Sequence, residues 1–262
     1  MPMGASGWEL AGAMAIVLLG GMVQGSIGFG LNLVVVPVLA LLIPGSVPGS
    51  VILISMPMTL TMLLREHHAI DWLGVRWILA GRIPGTAVGL LIVTALTATQ
   101  LGIVVGLVIL LGVLLSVVHP GLSVSRHSAL AVGSVCGVTG TAAGVDGPPL
   151  ALLYQHSEPH TLRATLATCF LIGAVVSGTA LALGGELTGE QLELTAILLG
   201  PMLVGLALSS AVAHRIPAGP FEPHDARTEA PQLPTHKRSW ELSREVDDED
   251  SAQRLHYAPN ID

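Results

Sequence analysis

The chain has 262 residues, of which 51% are hydrophobic and 11% charged, and its formal net charge is −7. A soluble domain of this size carries about a quarter charged residues, so the composition excludes a soluble globular enzyme or binding module, and no basic patch points to nucleic acid. Residues 1–213 hold five Arg, no Lys and eight carboxylates, whereas residues 214–262 hold six Lys or Arg and ten carboxylates.

No charged side chain occurs between Glu9 and Arg65. A membrane-crossing helix needs roughly 20 apolar residues, because the hydrocarbon core is about 30 Å thick and each helical residue rises 1.5 Å. This first run is long enough for two passes. It lacks a basic leader and follows Glu9, so it reads as retained structure and not as a secretory signal. Residues 10–44 are expected to form a broken hairpin punctuated by Gly21, Gly25, Gly28 and Pro37, followed by a helix near 50–65. Arg65, Arg76 and Arg82 are read as flanking a short connection, with Trp72 and Trp77 at the interface. Helices near 76–96 and 100–118 come next, and no charged side chain occurs between Arg82 and Arg126.

Residues 128–156 are apolar, but their middle reads Gly144-Val145-Asp146-Gly147-Pro148-Pro149. No continuous helix accommodates that string, so two short helices are expected, about 128–143 and 148–156. Helices near 161–184 and 191–213 complete about 7–8 hydrophobic segments. Residues 214–262, rich in Pro, Ser, Asp and Glu, cannot bury enough apolar surface to order themselves and read as a disordered acidic tail. Cys136 and Cys169 lie inside apolar segments as packing residues, and the ten His form no ligand motif, so neither cofactor nor metal is expected.

A shift of 112 residues sets Gly21, Gly25 and Gly28 on Gly133, Gly137 and Gly140, and Pro37 on Pro149. The chain therefore reads as two related halves. A weaker echo pairs Gly85 and Gly89 with Gly205 and Ser209 as small residues in late helices. Arg65, Arg76, Arg82, Arg126, Arg163 and Arg215 assign their connections, and the tail, to the cytoplasmic side, while the Arg-free loop holding Glu186, Glu190 and Glu193 lies outside. Arg126 and Arg163 then share a side, which makes the broken segment between them re-entrant and the two halves inverted. The expected fold is an all-α polytopic membrane protein. Residues 1–118 form the first repeat with a linking helix, 119–213 the second repeat, and 214–262 the tail.

Irregular backbone survives in a bilayer only where protein or water satisfies it, so two matched breaks point to a cavity between the halves. Half-helix N-termini there would carry partial positive charge and favour an anion. The candidate residues are Gln24, Gly25, Ser26, Gly28 and Asn32 in the first half, and Gly137, Thr139, Gly140, Thr141, Asp146 and Gly147 in the second. Two roles are open to Asp146: a proton or cation site, as intramembrane carboxylates often are, or a cap on the helix that follows. Arg163, next to Ala164 and Thr165, is open as an anion ligand or gate, or as an interfacial anchor.

The motif Gly21-x-x-x-Gly25-x-x-Gly28-x-Gly30 with Pro37, the string from Gly140 to Gly147-Pro148-Pro149, the Arg163-Ala164-Thr165 triplet and Ile70-Asp71-Trp72 recur together in one family. On these residues, over about 12–213, the chain resembles the TauE/SafE sulfite and organosulfonate permeases. The resemblance implies movement of small oxyanions such as sulfite or sulfoacetate across the cytoplasmic membrane, and a substrate role for Arg163 and Thr165. Asp146 departs from the Gly that the family commonly has there, which bears on anion preference or coupling. The expected function is secondary transport of a small anion, with a coupling proton or cation and the lipid bilayer as the other partners. The competing classes are a non-transporting scaffold that displays the tail, tested by deleting residues 218–262, and an intramembrane enzyme. The latter lacks the G-x-S-G serine and partner His of rhomboid-like proteolysis.

Overall fold

The computed structural model describes residues 4–118 and 123–213, and every regular element among them is helical. The expected tail at 214–262 lies outside the described residues. Helix α1 (Gly7–Ile27) starts at Ser6, whose backbone N–H donates to Glu9 Oε2 at 2.7 Å in a reciprocal capping box. It stops at Gly28, and Gly28 and Gly30 have φ of 106° and 121°, the left-handed region that only glycine enters without strain. Helix α2 (Leu31–Leu42) then leads to α3 (Gly49–Glu66), and a single 3₁₀ turn at His67–Ala69 leads to α4 (Trp72–Ala95).

Helix α4 begins earlier than the sequence spacing suggests because Asp71 caps it, its Oδ1 accepting from Gly74 N–H at 3.1 Å. Helix α5 (Ala98–Val118) links the halves. The second half repeats the order with α6 (Arg126–Ala142), α7 (Gly147–Leu153), α8 (Pro159–Leu183) and α9 (Gly189–Ala213). Pro148 and Pro149 occupy the first turn of α7, where a missing N–H costs nothing. Gly144, at φ 71°, makes the break before it.

Among the described residues, four helices, α1, α4, α8 and α9 up to Ser209, are long and apolar enough to cross a membrane. Leu19, Ile83, Leu91, Ile103 and Leu107 stand exposed on the outer surface, as suits contact with lipid.

The helices interleave across the halves. The larger apolar cluster gathers side chains of α1, α2 and α3 with Leu198, Met202 and Leu206 of α9. A second gathers side chains of α6, α7 and α8 with Val75 and Ile78 of α4. Two tight parallel crossings make this possible. On α4, Gly81 leaves no room for a Cβ against the Leu130 carbonyl of α6, and Gly85 none against that of Ser134. On α9, Gly205 is in the same position against the Leu18 carbonyl of α1, and Ser209 Cβ would lie 2.6 Å from a Cβ added at Gly25. The α6 partners lie 112 residues beyond those of α1, while Gly81 and Gly205 differ by 124. The structure thus matches Gly81 with Gly205 and Gly85 with Ser209, one helical turn away from the echo expected from sequence.

Helices α3 and α8 run antiparallel, since Glu66 meets Arg163 at one end and Met56 approaches Gly178 towards the other. Ser50 Oγ donates to the Gln191 carbonyl at 3.1 Å, joining the starts of α3 and α9. Asp71 N–H donates to Thr165 Oγ1 at 3.1 Å, joining the starts of α4 and α8. Helices α1, α3 and α9 therefore start at one end of the molecule, and α4, α6 and α8 at the other.

Candidate anion site

The two breaks meet at the centre. Leu31 N–H, otherwise an orphan donor at the start of α2, donates to Gln24 Oε1 at 3.0 Å. In the second break Cys136, 112 residues beyond Gln24, donates its thiol to the Asp146 carbonyl at 3.4 Å. Asn32 Nδ2 donates to the Gly144 carbonyl at 2.7 Å, and these positions are again 112 apart. Between the breaks lies a cavity of about 30 Å³.

One full positive charge faces it. Arg82 lies ten residues into α4 and is 1% exposed, and its Nη1 donates to Asp146 Oδ2 at 2.8 Å. The guanidinium is wedged between two glycines. A Cβ on Gly140 would come within 2.8 Å of Nη2, and one on Gly173 of α8 would overlap Cζ and both terminal nitrogens. Arg82 Nε is buried without a hydrogen-bond partner. A buried arginine with unused donors, held flat against helix backbone, is a ready acceptor of an oxyanion.

This corrects the reading of Arg82 as an interfacial marker beside Arg65 and Arg76. Orientation is then marked by the remaining arginines. Asp146 stands at the N-cap of α7, but its side chain makes no capping bond and is committed to Arg82. Nor is it alone among buried carboxylates. Asp71 is 3% exposed, and its Oδ2 accepts from the Tyr154 hydroxyl at 2.8 Å, which ties the end of α7 to the start of α4.

Of the expected site residues, Gln24, Asn32, Gly140, Asp146 and Gly147 line the cavity. Gly25 is a packing contact with Ser209, Gly137 with the Arg82 carbonyl, and Ser26 donates to the Met22 carbonyl. Thr141 and Ser177 share a hydroxyl hydrogen bond of 2.8 Å, while Thr139 Oγ1 is buried without a partner. Thr165 takes the Asp71 N–H bond. Arg163 points elsewhere: its Nε lies 2.9 Å from Glu66 Oε1, and its stem covers Gly28. Arg82 is the residue that sequence reasoning missed. Its signal was depth, since at 1.5 Å per residue it lies about 15 Å beyond Trp72, near the middle of a bilayer.

The family model for sulfite exporter TauE/SafE matches residues 13–223. The chain belongs to the TauE/SafE family. It is accordingly a multi-pass membrane protein of a transporter family. No curated protein and no solved structure matches the chain.

Proposed function

We propose that this TauE/SafE protein is a secondary transporter of a small sulfur oxyanion or organosulfonate in the cytoplasmic membrane, working by alternating access about the central cavity. The observation that carries this reading is the Arg82 guanidinium, fixed between Gly140 and Gly173 where the two helix breaks meet. A buried cation with free donors suits a planar or pyramidal oxyanion. Residues 1–118 and 119–213 act as inverted repeats, a reading supported by the matched crossings of α4 on α6 and α1 on α9 and by their opposite starting ends. Arg65, Arg76, Arg126 and Arg163 gather at the end where α4, α6 and α8 start, which supports a cytoplasmic position for that end and for the tail.

Arg163 serves as a gate. Its pair with Glu66 joins α8 to α3 at that end and must part for the cavity to open there. Asp146 is the site of the coupling proton or cation, and Asp146→Asn is expected to lose the pH dependence of flux. The deciding experiment is uptake by proteoliposomes of sulfite, sulfoacetate, thiosulfate and sulfate, with Arg82→Gln as the comparison. Saturable flux of one anion that falls at least about tenfold in the variant supports the site, since a charge-assisted hydrogen bond contributes about 1.5–3 kcal/mol. Equal flux in both proteins would refute it.

A further inference from the structure

The guanidinium that the transport reading gives to an anion is already bonded to a carboxylate of the chain itself. We propose that Asp146 is a tethered stand-in for the transported anion: it neutralises Arg82 while the carrier is empty and is displaced when the anion binds. This rests on the transport reading above.

The two members of the pair are held very differently. Arg82 is gripped between Gly140 and Gly173, with no space on either side for a methyl group. Asp146 sits where the chain is irregular, two residues after Gly144 and at the head of a seven-residue helix that it does not cap. Its side chain is 12% exposed against 2% for Arg82. The carboxylate is therefore the partner that can leave.

The carboxylate also fills the seat incompletely. One bond joins the pair, from Nη1 to Oδ2, and the Nε donor is buried and unused. An oxyanion with two free oxygens can take Nη1 and Nη2 together at the end of the guanidinium, where the carboxylate bonds to Nη1 alone. Nor does helix packing require the pair. At the matching positions of the other half, 124 and 112 residues away, the chain has Leu206, which sits in the larger apolar cluster, and Val34.

Charge balance makes the arrangement useful. Empty, the cavity holds one guanidinium and one carboxylate and is neutral as it reorients. Loaded with a monoanion, Arg82 and the anion cancel, and the displaced carboxylate takes one proton from the loading side and returns it on release. The groups around Asp146 are Arg82 on α4 and the thiols of Cys136 on α6 and Cys169 on α8, while α5 offers no titratable side chain. Without the carboxylate, only the anion can neutralise Arg82. The loaded carrier still crosses, but the empty one must carry an unpaired guanidinium through the bilayer centre.

The test separates net movement from exchange in proteoliposomes filled with radiolabelled sulfite. Efflux is followed into buffer without sulfite and into buffer containing it. In Asp146→Asn, net efflux is expected to fall about a hundredfold, the effect on a rate of leaving a buried charge unpaired. Half-saturation of exchange moves to about tenfold lower sulfite, because the internal competitor is gone. Asp146→Glu, which keeps the charge, restores net efflux. Three results would overturn the proposal: net efflux by Asp146→Asn close to that of wild type, loss of exchange together with net efflux in that variant, or net efflux by Asp146→Glu as low as that of Asp146→Asn. A wild type inert towards all four anions in both modes overturns the transport reading, and this inference with it.

Discussion

Replacing Arg82 and Asp146 by the residues at their counterpart positions gives a double-mutant cycle with a definite expected sign. Arg82→Leu alone leaves a buried carboxylate without its donor, and Asp146→Val alone leaves a guanidinium that is 1% exposed without its acceptor. Breaking a buried pair from one side costs about 3–5 kcal/mol, whereas replacing both partners by apolar residues is often neutral. Asp146 has φ −131° and makes no capping bond, so valine there meets no left-handed strain and loses no cap. The double variant should thus lie within about 2 kcal/mol of wild type, with a coupling energy of about 3 kcal/mol or more. At roughly 2–4 °C per kcal/mol for a chain of this length, each single variant should melt about 10 °C below wild type, and the double variant only a few degrees below. Thermal unfolding in detergent micelles, followed by the fluorescence of Trp72 and Trp77 on α4, measures this directly. The double variant should also carry no anion. Single variants that each lose less than 1 kcal/mol, or a double variant that loses their sum, would refute the electrostatic account of this layer.

Gly173→Ala puts a methyl group where the guanidinium lies, so sulfite flux should fall more than tenfold for a stability loss of about 1–3 kcal/mol. A flux and thermal-melt comparison with Gly200→Ala, where a Cβ meets nothing within 4 Å, checks that the effect is local. Tyr154→Phe removes the donor to Asp71 Oδ2 and should cost about 1.5–3 kcal/mol in thermal unfolding, with anion affinity in proteoliposomes unaltered. Asn32→Ala takes away the donor to the Gly144 carbonyl and should cost about 1–3 kcal/mol, read by the same melt.

The broken hairpins were legible in the sequence because glycine and proline act locally. Gly28 and Gly30 supply positive φ, and Pro148 with Pro149 forbids helix before and starts it after, whatever else packs nearby. Gln24, Asn32, Asp146 and Gly147 followed from those breaks, since irregular backbone inside a bilayer must surround something polar. Arg82 did not follow. Its sequence neighbours Arg65 and Arg76 made it look like a third interfacial arginine, and its partner lies 64 residues away. Arg163 differs in the opposite way: the motif around it is clear, but the direction of the side chain, which turns to Glu66 at the end of α3, is not. Side-chain direction depends on which helices cross. Here the crossing exchanges α4 and α9 between the halves, and a shift of 112 finds α6 on α1 but misses the 124-residue register of the later helices.

The bond from Asn32 to the Gly144 carbonyl joins positions related by the same spacing that relates the halves. In the alternating access proposed above, a rocking motion about the line between the halves would leave points near that line in place, so this bond would turn instead of stretching. The pairing is lopsided. Gly144 has no side chain with which to return the bond, just as Val34 and Leu206 return no charge for Asp146 and Arg82. Under the proposed mechanism the inward-open and outward-open forms are therefore not equivalent by symmetry, and the sequence holds nothing that sets them at equal energy.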